Sequence, residues 1–350
     1  MLSMIACFYL LFRRGNAFAP DITSSARLRR WTAALFASTT LSHVWYMPGV
    51  FFTSDDDITL YDLVGGLLDC MTVLPLSIVI MFCMLQDRRR PLWPVWVMVA
   101  PLVVGKAVCI ANLSYALLPM ILVYLLLLGI GLIIYMVRAI RQYGRWLRDN
   151  YADLEHKEVW QSFVVMVSIL LISSIYEFGF KWPAYDYIVQ VLGIVVVCYL
   201  LWRVETLSDL SIHQSPSINE ETDTTEDAGD NVLPQTISNN IGQLLKRYCE
   251  EPQLYLQYDL TIAELCRAVG TNRTYLGQYF SSQGITYNGY INNLRINHFI
   301  SLYREAVATQ RPFTAQRLAN ECGYHSYRTF SDVFKRVMSQ SVSSWMKNQQ

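Results

Sequence analysis

Residues 318–337, LANECGYHSYRTFSDVFKRV, have the pattern of two short helices joined at Gly323. Thr314 is placed to cap the first helix, and the glycine to end it. The second helix has an apolar face formed by Phe330, Val333 and Phe334. Its opposite face is polar and carries Tyr327, Arg328, Ser331 and Asp332. We therefore predict that one face packs against the preceding helix while the other stays free to contact a ligand.

The same pattern occurs earlier in the chain, over IAELCRAVG (262–270) and TNRTYLGQYFSSQ (271–283). Thr261 and Glu264 have the spacing of a capping box, and Gly270 ends the helix that they begin. The glycines of the two copies are 53 residues apart and the phenylalanines 54. The polar face of the second helix consists of Arg273, Thr274, Gly277, Gln278 and Ser281. Two copies at one spacing predict a double helix-turn-helix unit.

The region that contains the two copies has an excess of basic over acidic residues. Residues 236–350 carry twelve lysines and arginines against seven acids, which suits a polyanion such as DNA. Between the copies, Tyr290 to Arg304 has apolar residues at helical spacing and predicts a long connecting helix. A helix with one buried and one polar face fits the major groove, so we predict two recognition helices.

The order of these motifs resembles the AraC/XylS family of transcription regulators. The resemblance rests on IAELCRAVG, YLGQYF, GITYNGYINNLRI, LANECGYHSYRTFSDVFKRV and SSW. It implies a seven-helix domain whose recognition helices enter adjacent segments of the major groove, and contact with RNA polymerase. Ser339 and Val342 stand where the family usually has Gly and Pro, so a looser last turn is expected. Asp332 stands at a place often held by a basic or polar residue.

The candidate contacts with DNA follow from the polar faces of the two helices. We expect base contacts from Arg273, Thr274, Gln278, Tyr327, Arg328, Ser331 and Asp332. We expect phosphate contacts from Ser281, Lys335 and Arg336. Arg328 lies early in its helix, where its guanidinium group can reach guanine O6 and N7. Arg336 lies near the end of the helix, where a phosphate is the nearer partner.

The first part of the chain, residues 1–204, is apolar and predicts a bundle of six to seven transmembrane helices. Six segments reach the roughly 20 residues that a span requires. They are 31–52, 60–85, 92–112, 117–137, 159–179 and 185–204. Residues 2–12 are shorter, and form either a short or interfacial helix or the start of a truncated span. They lack a basic n-region and a convincing cleavage site, so no cleaved signal peptide is expected.

Basic residues fall in alternate loops and fix the predicted orientation. Loops rich in arginine and lysine stay in the cytoplasm, and these are 13–30, 86–91 and 138–158. The intervening connections are acidic, as at Asp55 to Asp57, or nearly neutral. The last span then ends at Arg203 on the cytoplasmic side of the inner membrane. This is the side on which a DNA-binding domain can meet DNA.

Ionisable residues inside the predicted spans are few, namely His43, Asp69, Lys106 and Glu177. Each is costly in lipid and is therefore a functional candidate. Asp69 and Lys106 are expected at similar depth on successive helices. Two interpretations stay open: a structural ion pair, or a role in ligand sensing.

The two halves are joined by residues 205–235, which are acidic, contain no lysine or arginine, and predict a disordered linker. The predicted fold is thus all-α: a transmembrane bundle (1–204), a linker (205–235) and a double helix-turn-helix domain (236–350). The eight cysteines show no CxxC pair, so we expect reduced apolar fillers and neither metal nor cofactor. No nucleophile–base pair or phosphate loop is evident in the C-terminal half, so no enzyme is expected.

The sequence predicts a membrane-anchored one-component transcription regulator that binds specific DNA and is modulated by its membrane domain. The rival is a membrane transporter or membrane enzyme with an attached DNA-binding domain. Paired broken helices and several polar groups at the midplane would favour the transporter. Expected partners are double-stranded DNA, membrane lipid and RNA polymerase. A homodimer and an unknown ligand or membrane partner stay open.

Overall fold

The regular secondary structure of the described residues is helical, apart from two isolated backbone bridges. The computed structural model describes residues 1–45, 54–165, 167–168, 185–210 and 235–349. It divides into two compact units. The first comprises Met1–Tyr143 and His156–Asn219, and the second Gly144–Glu155 and Glu220–Gln350. The predicted all-α class is confirmed for the described residues.

The helices of the first unit follow the apolar segments of the sequence. In chain order they are α1 (Leu2–Phe12), α2 (Ala26–Trp45), α3 (Asp55–Met71), α4 (Val73–Met84), α5 (Trp93–Ala111), α6 (Leu118–Asn150) and α7 (Tyr185–Thr206). The last residues of α6, from Gly144, belong to the second unit.

Three described helical stretches are long and apolar enough to cross a membrane: Leu63–Met84, Trp93–Ala111 and Leu118–Asn150. They coincide with the predicted spans 60–85, 92–112 and 117–137. The first stretch is broken at Thr72, whose φ of −122° and ψ of −67° separate α3 from α4. α1 is a shorter apolar helix.

The other predicted spans are described only in part or without this property. The segment 31–52 is described as far as residue 45, within α2, and 185–204 coincides with α7. Neither helix is among the described stretches that are apolar enough to span. Residues 169–184, with most of the span 159–179 and with Glu177, lie outside the described residues.

The first unit has an apolar core and an apolar outer surface. Leu63, Leu102, Cys109 and Ile121 form a core cluster that joins α3, α5 and α6. Along α6, large apolar side chains are exposed, among them Met120, Val123, Leu127 and Ile134. Contiguous apolar surface of this kind is rare in proteins that face only water, and it suits contact with lipid.

The four segments predicted to be cytoplasmic meet at one end of the first unit. Their contacts are Arg13 Nη1 with Glu205 Oε2 (2.9 Å), Asp209 N to Thr23 O (2.8 Å), Gln86 Nε2 to Ser208 O (2.9 Å) and Ser208 N to His156 O (2.9 Å). Residues 205–210 are therefore folded onto this unit. The rest of the predicted linker, 211–234, lies outside the described residues.

The second unit contains the C-terminal helices. They are α8 (Gln235–Leu245), α9 (Ile262–Val269), α10 (Arg273–Ser282), α11 (Tyr287–Ala308), α12 (Ala315–Glu321), α13 (Tyr327–Met338) and α14 (Val342–Asn348). The predicted connecting helix corresponds to α11. It contributes Ile291 to one apolar core, which also holds Leu276 and Phe280, and Phe299 to another, which also holds Phe334. α11 is thus common to two subdomains.

Candidate nucleic-acid interface

The first helical pair is delimited by local capping interactions and by a glycine. The Thr261 side chain accepts a hydrogen bond from the Glu264 N–H, and the Glu264 carboxylate accepts one from the Thr261 N–H at 2.8 Å. The predicted capping box is therefore confirmed. Gly270 ends α9 with a φ of 72°, in the left-handed region that glycine adopts without strain. Asn272 then caps α10 through its side chain.

The second pair repeats these devices. The Thr314 side chain caps α12, Gly323 follows with a φ of 84°, and the Ser326 side chain caps α13. A Cβ atom at position 323 would lie 2.5 Å from the carbonyl oxygen of Leu256. Glycine is therefore required here by close backbone contact as well as by its φ.

The two predicted recognition helices, α10 and α13, bury their apolar faces. The buried side chains are Leu276 and Phe280 in α10 and Phe330, Val333 and Phe334 in α13. The exposed candidate contacts are Arg273, Thr274, Ser281, Arg328, Asp332, Lys335 and Arg336. Gln278, Tyr327 and Ser331 are half-buried. Tyr327 also packs inward, with its ring 5.8 Å from that of Phe330. The contacts of all these candidate residues with DNA stay predictions.

The two copies share a register but differ in chemistry. The N-caps Asn272 and Ser326 are separated by the same 54 residues as Phe280 and Phe334. At this spacing, the exposed Arg328 in the second copy takes the place of Thr274 in the first. Two helices with different side chains at matched positions suit an asymmetric DNA site.

Comparisons with known proteins agree with this geometry. Residues 265–348 match a family described as a helix-turn-helix domain. The C-terminal segment is a helix-turn-helix domain. It is similar to the TCP pilus virulence regulatory proteins of two Vibrio cholerae serotype O1 strains, with 31% identity over 84 residues. The resemblance to the AraC/XylS family is confirmed for this segment.

These matches cover a minor part of each protein. The similar region is 24% of this chain and 29% of each of the curated relatives. No solved structure gives a significant match. The comparisons therefore bear on the helix-turn-helix domain and leave the membrane half to its own sequence and structure.

One basic residue of the helix-turn-helix domain is not available to DNA. Arg295, in α11, is 0% exposed. Its Nε and Nη2 donate to the carbonyl oxygens of Tyr255 and Gln257, both at 2.7 Å. Its guanidinium carbon lies 5.3 Å from the centre of the Tyr324 ring. Arg295 joins the two subdomains, so the charge count taken from the sequence overstates the charge that can face DNA.

The sequence contained a signal for this burial. Arg295 lies four residues after Ile291 and four before Phe299, on the stripe of α11 that is buried. Asn292 lies on the same side and is 4% exposed, and its Oδ1 accepts a hydrogen bond from the Tyr324 hydroxyl at 2.8 Å. Polar residues on a predicted buried stripe mark structural hydrogen bonds.

A segment of the predicted cytoplasmic loop 138–158 belongs to the same unit as the helix-turn-helix domain. The Ala152 N–H donates to the carbonyl oxygen of Leu260 at 3.1 Å, and the Ala152 side chain lies in the first apolar core. This contact was not predicted from the sequence. The segment is short and has neither helical nor strand periodicity, so its pattern carries no signal of docking.

The cysteines of the helix-turn-helix domain are free thiols. Burial raises the pKa of Cys249 and of Cys322 to about 12, and that of Cys266 to about 11. The thiolate, which is the reactive and metal-binding form, is therefore scarce at neutral pH. Their interpretation as small apolar fillers agrees with this environment.

The last helix, α14, forms despite the departures from the family pattern. Ser339 ends α13 with a φ of 57°, a left-handed conformation for which glycine is preferred. Ser341 caps α14, and Val342 and Trp345 are buried. The substitution of Gly by Ser therefore adds local strain, while packing still holds α14 in place.

The charged pair predicted in the membrane half lies on neighbouring helices. Asp69 Oδ1 accepts a hydrogen bond from Ser42 Oγ at 3.0 Å. Lys106 Nζ lies beside Gly66, 3.0 Å from the position that a Cβ atom on Gly66 would take. Gly66 precedes Asp69 by about one turn of α3. Among the described residues, the structure records no ion pair between Asp69 and Lys106. Their pairing and a sensing role stay predictions.

A cavity of about 700 Å³ lies between α4, α5 and α6. Its walls are apolar, with Met98, Leu128 and Tyr135 among them, and residues 88–90 line it as well. Neither Asp69 nor Lys106 is among its lining residues. The charged pair and this cavity are therefore separate features of the first unit.

Proposed function

We propose that the chain is a membrane-anchored one-component transcription regulator. The helix-turn-helix domain binds specific DNA sequences through α10 and α13, and the membrane domain modulates that activity. The protein lies in the inner membrane with several spans, and its C-terminal domain is cytoplasmic. RNA polymerase is the expected protein partner, and the same domain provides no enzyme activity.

The observation that carries the proposal is the repeated helix-turn-helix with two exposed polar faces. The first helix of each copy is capped by a threonine and followed by a glycine at the same spacing, and each copy buries one face of its second helix. Two such helices on one shared helix, α11, can enter adjacent segments of a major groove. The relatives, which are named as virulence regulatory proteins, support the same class of function.

Anchoring is supported by the first unit. Three described helical stretches have the length and composition of membrane spans. The basic loops 13–30 and 86–91 contact the chain that follows α7, so the segment leading to the helix-turn-helix domain starts at the basic end. Basic loops mark the cytoplasmic side.

The proposal is tested with the full chain in lipid nanodiscs and a 40-bp duplex of random sequence. With at least three phosphate contacts, the logarithm of affinity should fall with that of salt concentration at a slope of about −3 or steeper. A chain ending at residue 210, in matched nanodiscs, should not bind. Equal binding by both proteins, or a full chain without salt-dependent binding, would contradict the proposal.

Sequence-specific regulation needs a second measurement. Mapping of the DNA bound by the full chain in its host should give a common sequence upstream of genes, and expression of those genes should change when the chain is removed. Bound DNA without a common sequence would contradict specific recognition.

A further inference from the structure

We infer that residues 149–155, here called the docking segment, are a built-in antagonist of DNA binding. One acid of this segment, Glu155, accepts hydrogen bonds from hydroxyl groups of α13 that DNA would use, and a second acid, Asp149, lies within electrostatic range of Arg273 in α10. The inference rests on the proposed function, because it names how the DNA-binding faces are regulated. It rests on contacts within the second unit, to which the docking segment belongs.

The backbone of the docking segment is fixed to the helix-turn-helix domain. Beside the bond from Ala152 N to Leu260 O, Tyr151 forms a backbone bridge with Thr261, the cap of α9. The Asn288 side chain donates to the carbonyl oxygens of Tyr151 and Ala152, at 3.1 and 2.7 Å. Asn292 donates to Ala152 at 3.2 Å. Buried amide side chains thus hold an otherwise irregular segment in place.

Glu155 reaches the start of the second recognition helix. Its Oε2 accepts hydrogen bonds from Ser326 Oγ at 2.8 Å and from Thr329 Oγ1 at 2.6 Å. The distance to Thr329 is short for a hydroxyl donor, and the distance to Ser326 is an ordinary one. These hydroxyls lie at the N-terminus of α13, directly beside the exposed Arg328. Serine and threonine hydroxyls at a helix N-terminus are typical donors to DNA phosphates.

A second acid lies near the first recognition helix. Asp149 interacts electrostatically with Arg273, the first residue of α10, and with Arg148 and Arg145. Tyr151, whose pKa is raised by burial to about 12, lies near the same arginine. The docking segment therefore places the Glu155 carboxylate on the start of α13 and the Asp149 carboxylate within electrostatic range of the start of α10. Glu155 weakens DNA binding by competing for donors, and both carboxylates weaken it by repelling phosphate.

The docking segment begins in the last turn of α6. Asp149 and Asn150 are the final residues of this helix, and the backbone contacts with the helix-turn-helix domain begin at the next residue, Tyr151. A movement of α6 would thus pull on the docking segment. Release of the docking segment frees Ser326 and Thr329 for DNA and removes the negative charge of Asp149 from the neighbourhood of Arg273, and DNA binding in turn favours release.

The test compares full chains in lipid nanodiscs for affinity to the 40-bp random duplex. Glu155→Gln and Glu155→Ala should bind about three- to tenfold more tightly than the wild type, because DNA no longer has to displace a contact that contributes about as much as one net hydrogen bond. Glu158→Gln is the matched control. It removes the same charge from the same loop, and its carboxylate contacts Trp160 rather than a recognition helix. Its affinity should be unchanged.

Hydrogen exchange supplies the second measurement on the same samples. The peptide that contains Ala152 should be protected in the absence of DNA and should exchange faster when DNA is added. DNA that binds while Ala152 stays protected, or Glu155 variants that bind no more tightly than wild type, would overturn the inference alone. A lack of DNA binding by the wild type and by both Glu155 variants would instead overturn the proposed function, and the inference with it.

Discussion

At the scale of single residues, Arg328 and Arg336 are both exposed on α13, but they are expected to contact different parts of the DNA. Arg328→Ala should cost about 1 to 3 kcal/mol on a preferred site and relax the preference at one base, because it removes a contact to a base edge. Arg336→Ala should weaken binding to all sequences alike and reduce the salt slope by about one unit, because it removes a phosphate contact.

The two variants are compared as full chains in nanodiscs, on a duplex selected by the wild type from random sequences and on an unselected duplex, at several salt concentrations. Each variant serves as the control for the other, since both remove one arginine from one helix. An Arg328→Ala chain that keeps its full preference for the selected duplex would remove Arg328 from the base-reading residues.

Arg295 has a structural effect that its charge alone does not suggest. Arg295→Ala should destabilise the helix-turn-helix domain by about 3 to 5 kcal/mol, because two buried carbonyl groups lose a charged donor and a cavity opens beside Tyr324. Arg304→Ala, at an exposed position of the same helix, should change stability by less than about 0.5 kcal/mol. Hydrogen exchange of α11 in the full chain measures both. Equal protection in the two variants would show that Arg295 does not stabilise the domain.

Helix caps and helix ends were the most predictable features of the domain. The capping box of Thr261 and Glu264, and the stop at Gly270, depend only on neighbours within one helical turn, so the sequence contains all the necessary information. The apolar stripe of α11 indicates that Arg295 is buried, but its partners Tyr255 and Tyr324 are 40 and 29 positions away in the sequence. The identity of such distant partners is not visible in local patterns.

At the scale of elements, the two equivalent glycines are expected to differ in tolerance. Gly270→Ala should lower the free energy of unfolding by about 1 to 2 kcal/mol, because alanine is strained at a left-handed φ. No steric clash adds to this cost, since no atom lies within 4 Å of the added Cβ. Gly323→Ala should cost clearly more, because the added Cβ also meets the Leu256 carbonyl at 2.5 Å. Backbone atoms cannot move aside as a flexible side chain would.

The comparison uses the exchange protection of α9 and α12 in the two full-length variants. Each glycine is the matched control of the other, since both end the first helix of a copy. Equal losses of protection would show that the contact with Leu256 is relieved cheaply, and that only the left-handed φ matters at both turns.

The elements that the sequence predicted well are those with strong periodicity. The connecting helix and both recognition helices were located because their apolar residues recur at helical spacing. The break at Thr72 was not foreseen, since composition alone marks 60–85 as one apolar stretch. The docking segment was missed for a related reason: its order comes from Asn288, Asn292 and Glu155 acting across the fold, and not from its own pattern.

At the scale of the whole molecule, the proposed membrane topology rests on the basic residues at one end of the first unit. Residues 13–30, 86–91, 138–158 and everything after 204 are predicted to be cytoplasmic. The positive-inside rule and the contacts among these segments are independent arguments, because the rule uses only composition whereas the contacts use only coordinates. The contacts bring together 13–30, 86–91, His156 and residues 205–210, the parts of these segments that the first unit contains.

Reporter fusions that are active only outside or only inside the cell test this topology in the full host membrane. A fusion at residue 56 should be active outside, because the acidic connection after α2 is predicted to face outward. Fusions at residues 88 and 220 should be active only inside. Residue 88 is the internal control, since it lies in a turn that carries three consecutive arginines. An outside-active fusion at residue 220 would separate the helix-turn-helix domain from DNA, and so would remove the physical basis for a DNA-binding regulator.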